Sequence, residues 1–116
     1  MVLDKWKLDF NHVLASSESV VVIEVDGAGS GGQGQDRKTE IKHKLGQLEV
    51  TDQLDAIQFM LDEYKFIDPH RVAVSGVSYG GYVAGMMLSA TTRNHSELLK
   101  CGIAVSPVVD WRYYGK

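Results

Sequence analysis

Arg71-Val72-Ala73-Val74-Ser75-Gly76-Val77-Ser78-Tyr79-Gly80-Gly81 is the stretch that decides how this chain folds. Residues 71–75 alternate β-branched and small side chains and read as a short strand. Residues 79–90 are mostly small or apolar and read as a buried helix. Between them, Gly76-Val77-Ser78-Tyr79-Gly80 satisfies G-x-S-x-G, the strand-to-helix elbow that holds a serine hydroxyl out of a strained turn. Gly76 and Gly80 give the strand and helix room to pass close to each other. The helix N-terminus aims its N–H groups and partial positive charge at the oxygen reacting beside Ser78. The backbone N–H of Tyr79 is the natural first oxyanion donor. The plainer alternative is a turn serine packed among glycines in an ordinary βαβ unit.

The flanks extend the same pattern. Upstream, Leu54, Ile57, Leu61 and Tyr64 fall on one stripe with Met60 beside it, which predicts a helix over 51–64 capped by Thr51 or Asp52. Asp68-Pro69 bars its continuation. Further upstream, Ser19-Val20-Val21-Val22-Ile23-Glu24-Val25 predicts a strand buried on both faces. Downstream, Cys101-Gly102-Ile103-Ala104-Val105 predicts a third strand, ended by Pro107, with an aromatic loop or helical turn at 110–114. Trp6, Phe10, Val13 and Leu14 predict a short amphipathic helix over 6–14, and 35–45 reads as a solvated loop or short helix. Strand, helix, strand, helix, strand implies two right-handed crossovers, hence an α/β fold with a parallel sheet and helices on both faces. Three such strands are an incomplete sheet, because parallel strands need neighbours at both edges.

Composition narrows the function. The chain has 116 residues, enough for one domain, with 44% apolar and 23% charged residues and a net charge of -3. That charge offers no basic field for phosphate backbones, so nucleic acid is not an expected partner. No apolar run nears the roughly 18 residues of a membrane span, and the charges in Met1-Val2-Leu3-Asp4-Lys5-Trp6-Lys7 argue against a signal peptide. Cys101, the one cysteine, reads from spacing as a buried small hydrophobe. With one thiol and four scattered histidines, no metal or other cofactor is expected.

A serine hydroxyl needs a general base to become a nucleophile. On scaffolds with this elbow the order is Ser, then acid, then His. His95 is the only histidine after Ser78, and it lies in the crossover after the elbow helix, where a base is not expected. His12, His43 and His70 precede Ser78 and read as surface residues. Asp110 follows the third strand where some hydrolases place the acid, but a capping or surface role suits it better. The chain therefore holds no complete triad.

A rival signal sits upstream. Gly27-Ala28-Gly29-Ser30-Gly31-Gly32 satisfies the G-x-G-x-x-G dinucleotide fingerprint after a strand. Its context is wrong, since polar Gln33-Gly34-Gln35-Asp36-Arg37-Lys38 follows and no second strand ends in an acidic residue about 20 residues on.

Taken together, Asp26-Gly27-Ala28-Gly29-Ser30-Gly31, Leu45-Gly46, Glu49-Val50-Thr51-Asp52-Gln53, Gly76-Val77-Ser78-Tyr79-Gly80-Gly81-Tyr82 and Cys101-Gly102-Ile103-Ala104-Val105-Ser106-Pro107 resemble the dipeptidyl peptidase IV and fibroblast activation protein branch of the prolyl oligopeptidase family. The resemblance covers nearly the whole chain. It implies that 1–116 are part of an α/β-hydrolase domain, its N-terminal half, without the propeller and without the later strands that carry the triad Asp and His. It implies a serine exopeptidase that releases N-terminal dipeptides from peptides with Pro or Ala at the second position. Ser78 would be the nucleophile and Tyr79 an oxyanion donor. Val108, Trp111 and Tyr114, with the Tyr79 ring, would line an apolar pocket for the proline, which aromatic walls suit; plain core packing is the alternative for the aromatics. Cys101 matches a cysteine that is disulfide-bonded in extracellular members, and Asn94-His95-Ser96 is an N-glycosylation sequon. A parent at the cell surface or outside the cell, homodimeric and membrane-anchored, fits the branch. Two positions depart from it: Ala28 replaces an arginine that braces the loop, and Val77 replaces a tryptophan. An isolated chain is expected to be inactive. A non-catalytic interaction module, pairing through an open sheet edge, is the rival from another class.

Overall fold

The computed structural model describes residues 2–94 and 97–114. Two parallel strands, Ala73–Val77 (β1) and Cys101–Val105 (β2), pair in register from Ala73 opposite Cys101 to Val77 opposite Val105. The helix that joins them, Tyr79–Arg93 (α4), packs on both strands, and Leu48–Glu63 (α3) packs on α4. This is the expected α/β crossover. β1 is displaced by two residues from the expected 71–75, starting at Ala73 and ending at Val77, so the strand reaches the residue next to Ser78.

The core forms where these pieces meet. Met87 and Ala84 of α4 are 2% and 1% exposed, and Val50 and Leu99 are buried with them. Leu54 and Ile57 of the expected α3 stripe pack against that cluster, together with Val72 and Val74. Met87 and Ala84 stand three apart on α4, so one face of the helix is sealed. α3 begins three residues earlier than 51, with Gln47 rather than Thr51 or Asp52 at its cap. Glu49 brings this about: its carboxyl oxygens accept from the N–H groups of Gly46 and Gln47 and close the first turn. The helix ends at Glu63, before Asp68-Pro69 is reached.

The N-terminal part departs from expectation. Phe10–Ser17 (α1) starts at Phe10 and not at Trp6, because Asp9 caps it by accepting from the N–H of His12. Residues 19–25 form no regular element and pair with no strand among the described residues, so the sheet has two strands rather than three. Val20, Val21, Val22 and Ile23 are not buried on both faces but between 36% and 46% exposed. A cavity of about 260 Å³ separates this segment from β1, with Val21, Ile23 and Val25 on one wall and Ala73 and Val74 on the other. The radius of gyration, 14.9 Å, exceeds the roughly 13 Å of a compact domain of this size, as an arm without a full complement of neighbours requires. Cys101 is exposed rather than buried, because β2 lies at the edge of the sheet. Gln35–Thr39 (α2) is the short solvated helix allowed for 35–45, and Trp111–Tyr113 forms a 3-10 turn.

Candidate active site around Ser78

Ser78 occupies the junction between β1 and α4 with φ 56° and ψ -116°. A non-glycine residue held at positive φ costs about 1–3 kcal/mol and persists only when its surroundings over-determine it. Those surroundings are visible. The Ser78 N–H donates to the Val105 carbonyl at 2.9 Å, tying the elbow to the end of β2. The Ser78 carbonyl accepts from the N–H of Tyr82 at 3.2 Å, the first rung of α4, and from the N–H of Val108 at 3.4 Å. A Cβ on Gly76 would stand 2.1 Å from the Gly80 carbonyl oxygen, so only glycine lets strand and helix cross there. Gly81 is pressed against Pro107 in the same way, with 3.0 Å to its Cβ.

The hydroxyl of Ser78 is exposed and makes no capping bond to α4. Serine at a helix cap ordinarily spends its oxygen on a first-turn N–H. Here the side chain is turned away from that duty, and the first-turn N–H groups of α4, Tyr79 included, have no intrahelical acceptor. The arrangement offers a free hydroxyl beside oriented amide donors, the geometry that stabilises charge on an attacked carbonyl oxygen.

The other expected site residues gather around this turn. The Tyr79 ring lies 6.0 Å from that of Trp111, and Trp111 meets Tyr114 edge-on at 5.4 Å. Val108 is half-buried and bonded to Ser78 through its N–H. Tyr82, which sequence reasoning did not single out, completes the cluster, 5.7 Å from Tyr79 and 5.1 Å from Trp111. The clue was its place three residues after Tyr79, on the same helix face. The Tyr79 hydroxyl donates to Oε1 of Glu49 at 2.5 Å. Its phenol is pushed well above the ordinary value, first by burial and then by that carboxyl group, so it remains a neutral donor.

Two other candidates find plainer roles. The Asp110 carboxylate caps the 3-10 turn by accepting from the Arg112 N–H at 2.9 Å and is clasped by the Arg112 guanidinium, which holds it below the usual carboxylate range. His95 lies outside the described residues. Among the described residues no group of three His, Cys, Asp or Glu side chains could hold a metal ion.

The glycine-rich loop faces the elbow across a cavity of about 330 Å³ lined by Ala28, Ser30, Glu49, Tyr79 and Met87 among others. Three of its amides are already engaged. Ala28 N–H donates to Asp52 at 2.7 Å, Gly29 N–H to the Arg37 carbonyl, and Ser30 N–H to the Gly27 carbonyl. α2 opens only after the last glycine. These amides are not presented to a phosphate, which removes the support for a dinucleotide site. The loop also has a brace that the sequence hid. Arg37 pairs with Asp52 at 2.8 Å and with Glu40 at 2.9 Å. A guanidinium from α2 thus supports the loop, which was expected to lack such a brace with alanine at position 28.

With this geometry in place, likeness to known proteins is informative. The model of the prolyl oligopeptidase family matches residues 6–116. The chain is 43% identical over 109 residues to "Dipeptidyl peptidase 4" of Bos taurus, covering 94% of this chain and 14% of that protein. It is 46% identical over 101 residues to "Prolyl endopeptidase FAP" of Mus musculus, covering 87% of this chain and 13% of the other. It is also 37% identical over 114 residues to "Inactive dipeptidyl peptidase 10" of Mus musculus, covering 98% of this chain and 14% of that one. The chain thus spans about a seventh of the length of these relatives. It belongs to the prolyl oligopeptidase family of α/β serine peptidases, in the branch of dipeptidyl peptidase 4 and FAP.

Proposed function

We propose that residues 1–116 are part of an α/β-hydrolase domain of a dipeptidyl-peptidase-like serine peptidase, and that Ser78 is its nucleophile. One observation carries this reading: in a member of this family, a serine stands at positive φ between strand and helix with its hydroxyl unspent. Ser78 attacks the scissile carbonyl carbon. The tetrahedral oxyanion is received by the N–H of Tyr79 and by partners from elsewhere in the protein. Expulsion of the amine leaves an acyl-enzyme, which water then cleaves. The Tyr79 ring, Val108, Trp111 and Tyr114 form the apolar walls that select Pro or Ala at the second position of the peptide. The base and the acid come from the remaining length of the parent protein, so the chain alone does not turn over peptides. Such a parent acts at the cell surface or outside the cell, as a membrane-anchored homodimer. The exposed Cys101 suits a disulfide there, and Asn94-His95-Ser96 suits glycosylation. Among the described residues no helix is long and apolar enough to cross a membrane.

Fluorophosphonate labelling with mapped adducts tests the reading. The expected result is slow labelling concentrated on Ser78, abolished in Ser78→Ala. Adducts spread evenly over the serines contradict the nucleophile. Rapid stoichiometric labelling contradicts the inactivity of the chain, because it requires a general base within it. A second reading, a non-catalytic interaction module, is favoured by the likeness to an inactive relative and by the unpaired 19–25 segment. It gains if Ser78 shows no preference.

A further inference from the structure

Glu49 is 5% exposed, one of the two buried polar side chains among the described residues. A carboxyl group this buried is tolerated only when its oxygens are satisfied. Three donors satisfy these. Gly46 N–H at 2.6 Å and the Tyr79 hydroxyl at 2.5 Å reach Oε1, and Gln47 N–H at 3.1 Å reaches Oε2. The two amide bonds close the first turn of α3, and an acidic residue at a helix start needs no more than that. The third bond is different. It crosses 30 residues of sequence to the side chain that immediately follows Ser78.

That bond fixes a ring. A tyrosine side chain turns about two torsions, and anchoring its hydroxyl removes both. The anchored ring meets Tyr82 and Trp111 in tilted contacts at 5.7 and 6.0 Å. Three residues further along α3, Asp52 grips the glycine-rich loop through the Ala28 N–H, and Gln53 holds the Val25 carbonyl at 3.0 Å. One helix turn therefore touches both walls of the cleft in front of the elbow.

We propose that Glu49 is a positioning residue: it locks the Tyr79 ring as a wall of the aromatic pocket and couples that wall, through α3, to the glycine-rich loop. That the wall faces a peptide rests on the peptidase reading; the lock itself does not.

The test is ¹⁹F NMR on the chain carrying 3-fluorotyrosine at its five tyrosines. The Tyr79 line is assigned by its loss in Tyr79→Phe. Glu49→Gln keeps one oxygen on the side of Gly46 N–H and the phenol, gives up the bond to Gln47 N–H, and makes the acceptor for the phenol neutral and weaker; Tyr64 on the same helix reports any effect of the lost helix-closing bond. In this variant the Tyr79 line should move by several linewidths, Tyr82 should follow by less, and Tyr64 at the far end of α3 should stay. A purely helix-capping Glu49 would leave the Tyr79 line in place, which would overturn the proposal. So would lines for all five tyrosines moving together. Tyr79→Phe supplies an arm that spares the helix turn. Its far-ultraviolet circular dichroism should match wild type while Trp111 emission, read in a Trp6→Phe background because Trp6 is exposed, shifts to the red as the unanchored ring loosens. Unshifted emission would also overturn the lock. The labelling of Ser78 decides the peptidase reading separately, so either idea can fail while the other stands.

Discussion

Residues 19–25 carry the stronger strand signal, five β-branched side chains in seven, yet residues 73–77, two valines among Ala, Ser and Gly, are the ones that become a strand. Ala73–Val77 finds β2 alongside and α4 on its face, and it pairs in register over its whole length. Residues 19–25 pair with no strand among the described residues, and a cavity lies between them and β1. Sheet propensity expresses fitness for a pleated, half-buried surface, so a strand exists only when that surface is supplied. The positive φ of Ser78 is stored where β1, β2 and α4 converge and over-determine the backbone.

The largest effect that would break this contrast comes at the crossing point. Gly76→Val would force a side chain into the Gly80 backbone, which has no flexible end to yield. We expect a loss of about 3 kcal/mol or more, read from urea unfolding. A wild-type midpoint would mean that strand and helix do not meet as described. A smaller effect sharpens the contrast. Met87→Ala, in the sealed face of α4, should cost about 2–5 kcal/mol. Val22→Ala, in the unpaired segment, should cost less than about 0.5 kcal/mol. Equal costs would place residues 19–25 inside a core that the structure does not give them.

How much could be read in advance depended on how local the cause was. The elbow was legible because its requirements sit in five adjacent residues: glycine where backbones cross and serine at the bend. β2 and the aromatic turn were legible for the same reason, marked off by Pro107 and by the Asp110 cap. The burial of residues 19–25 and of Cys101 was not legible, since it depends on strands that flank the sheet rather than on the residues themselves. Glu49 was quoted as part of a motif yet given no role. Its function appears only once α3 begins at Leu48, which brings its carboxyl group under the hydroxyl of a tyrosine 30 residues away. The role of Arg37 was not legible either, because its partner Asp52 lies 15 residues away on another helix.

The strained bend at Ser78 can be weighed directly by comparing Ser78→Gly with Ser78→Ala in equilibrium unfolding. Both remove the hydroxyl, but only glycine relaxes at φ 56°. The account predicts that the glycine variant is the more stable of the two by about 1 kcal/mol or more. At an unstrained position alanine would instead win by about 0.4–1 kcal/mol, and that order would contradict a strained elbow at the proposed nucleophile.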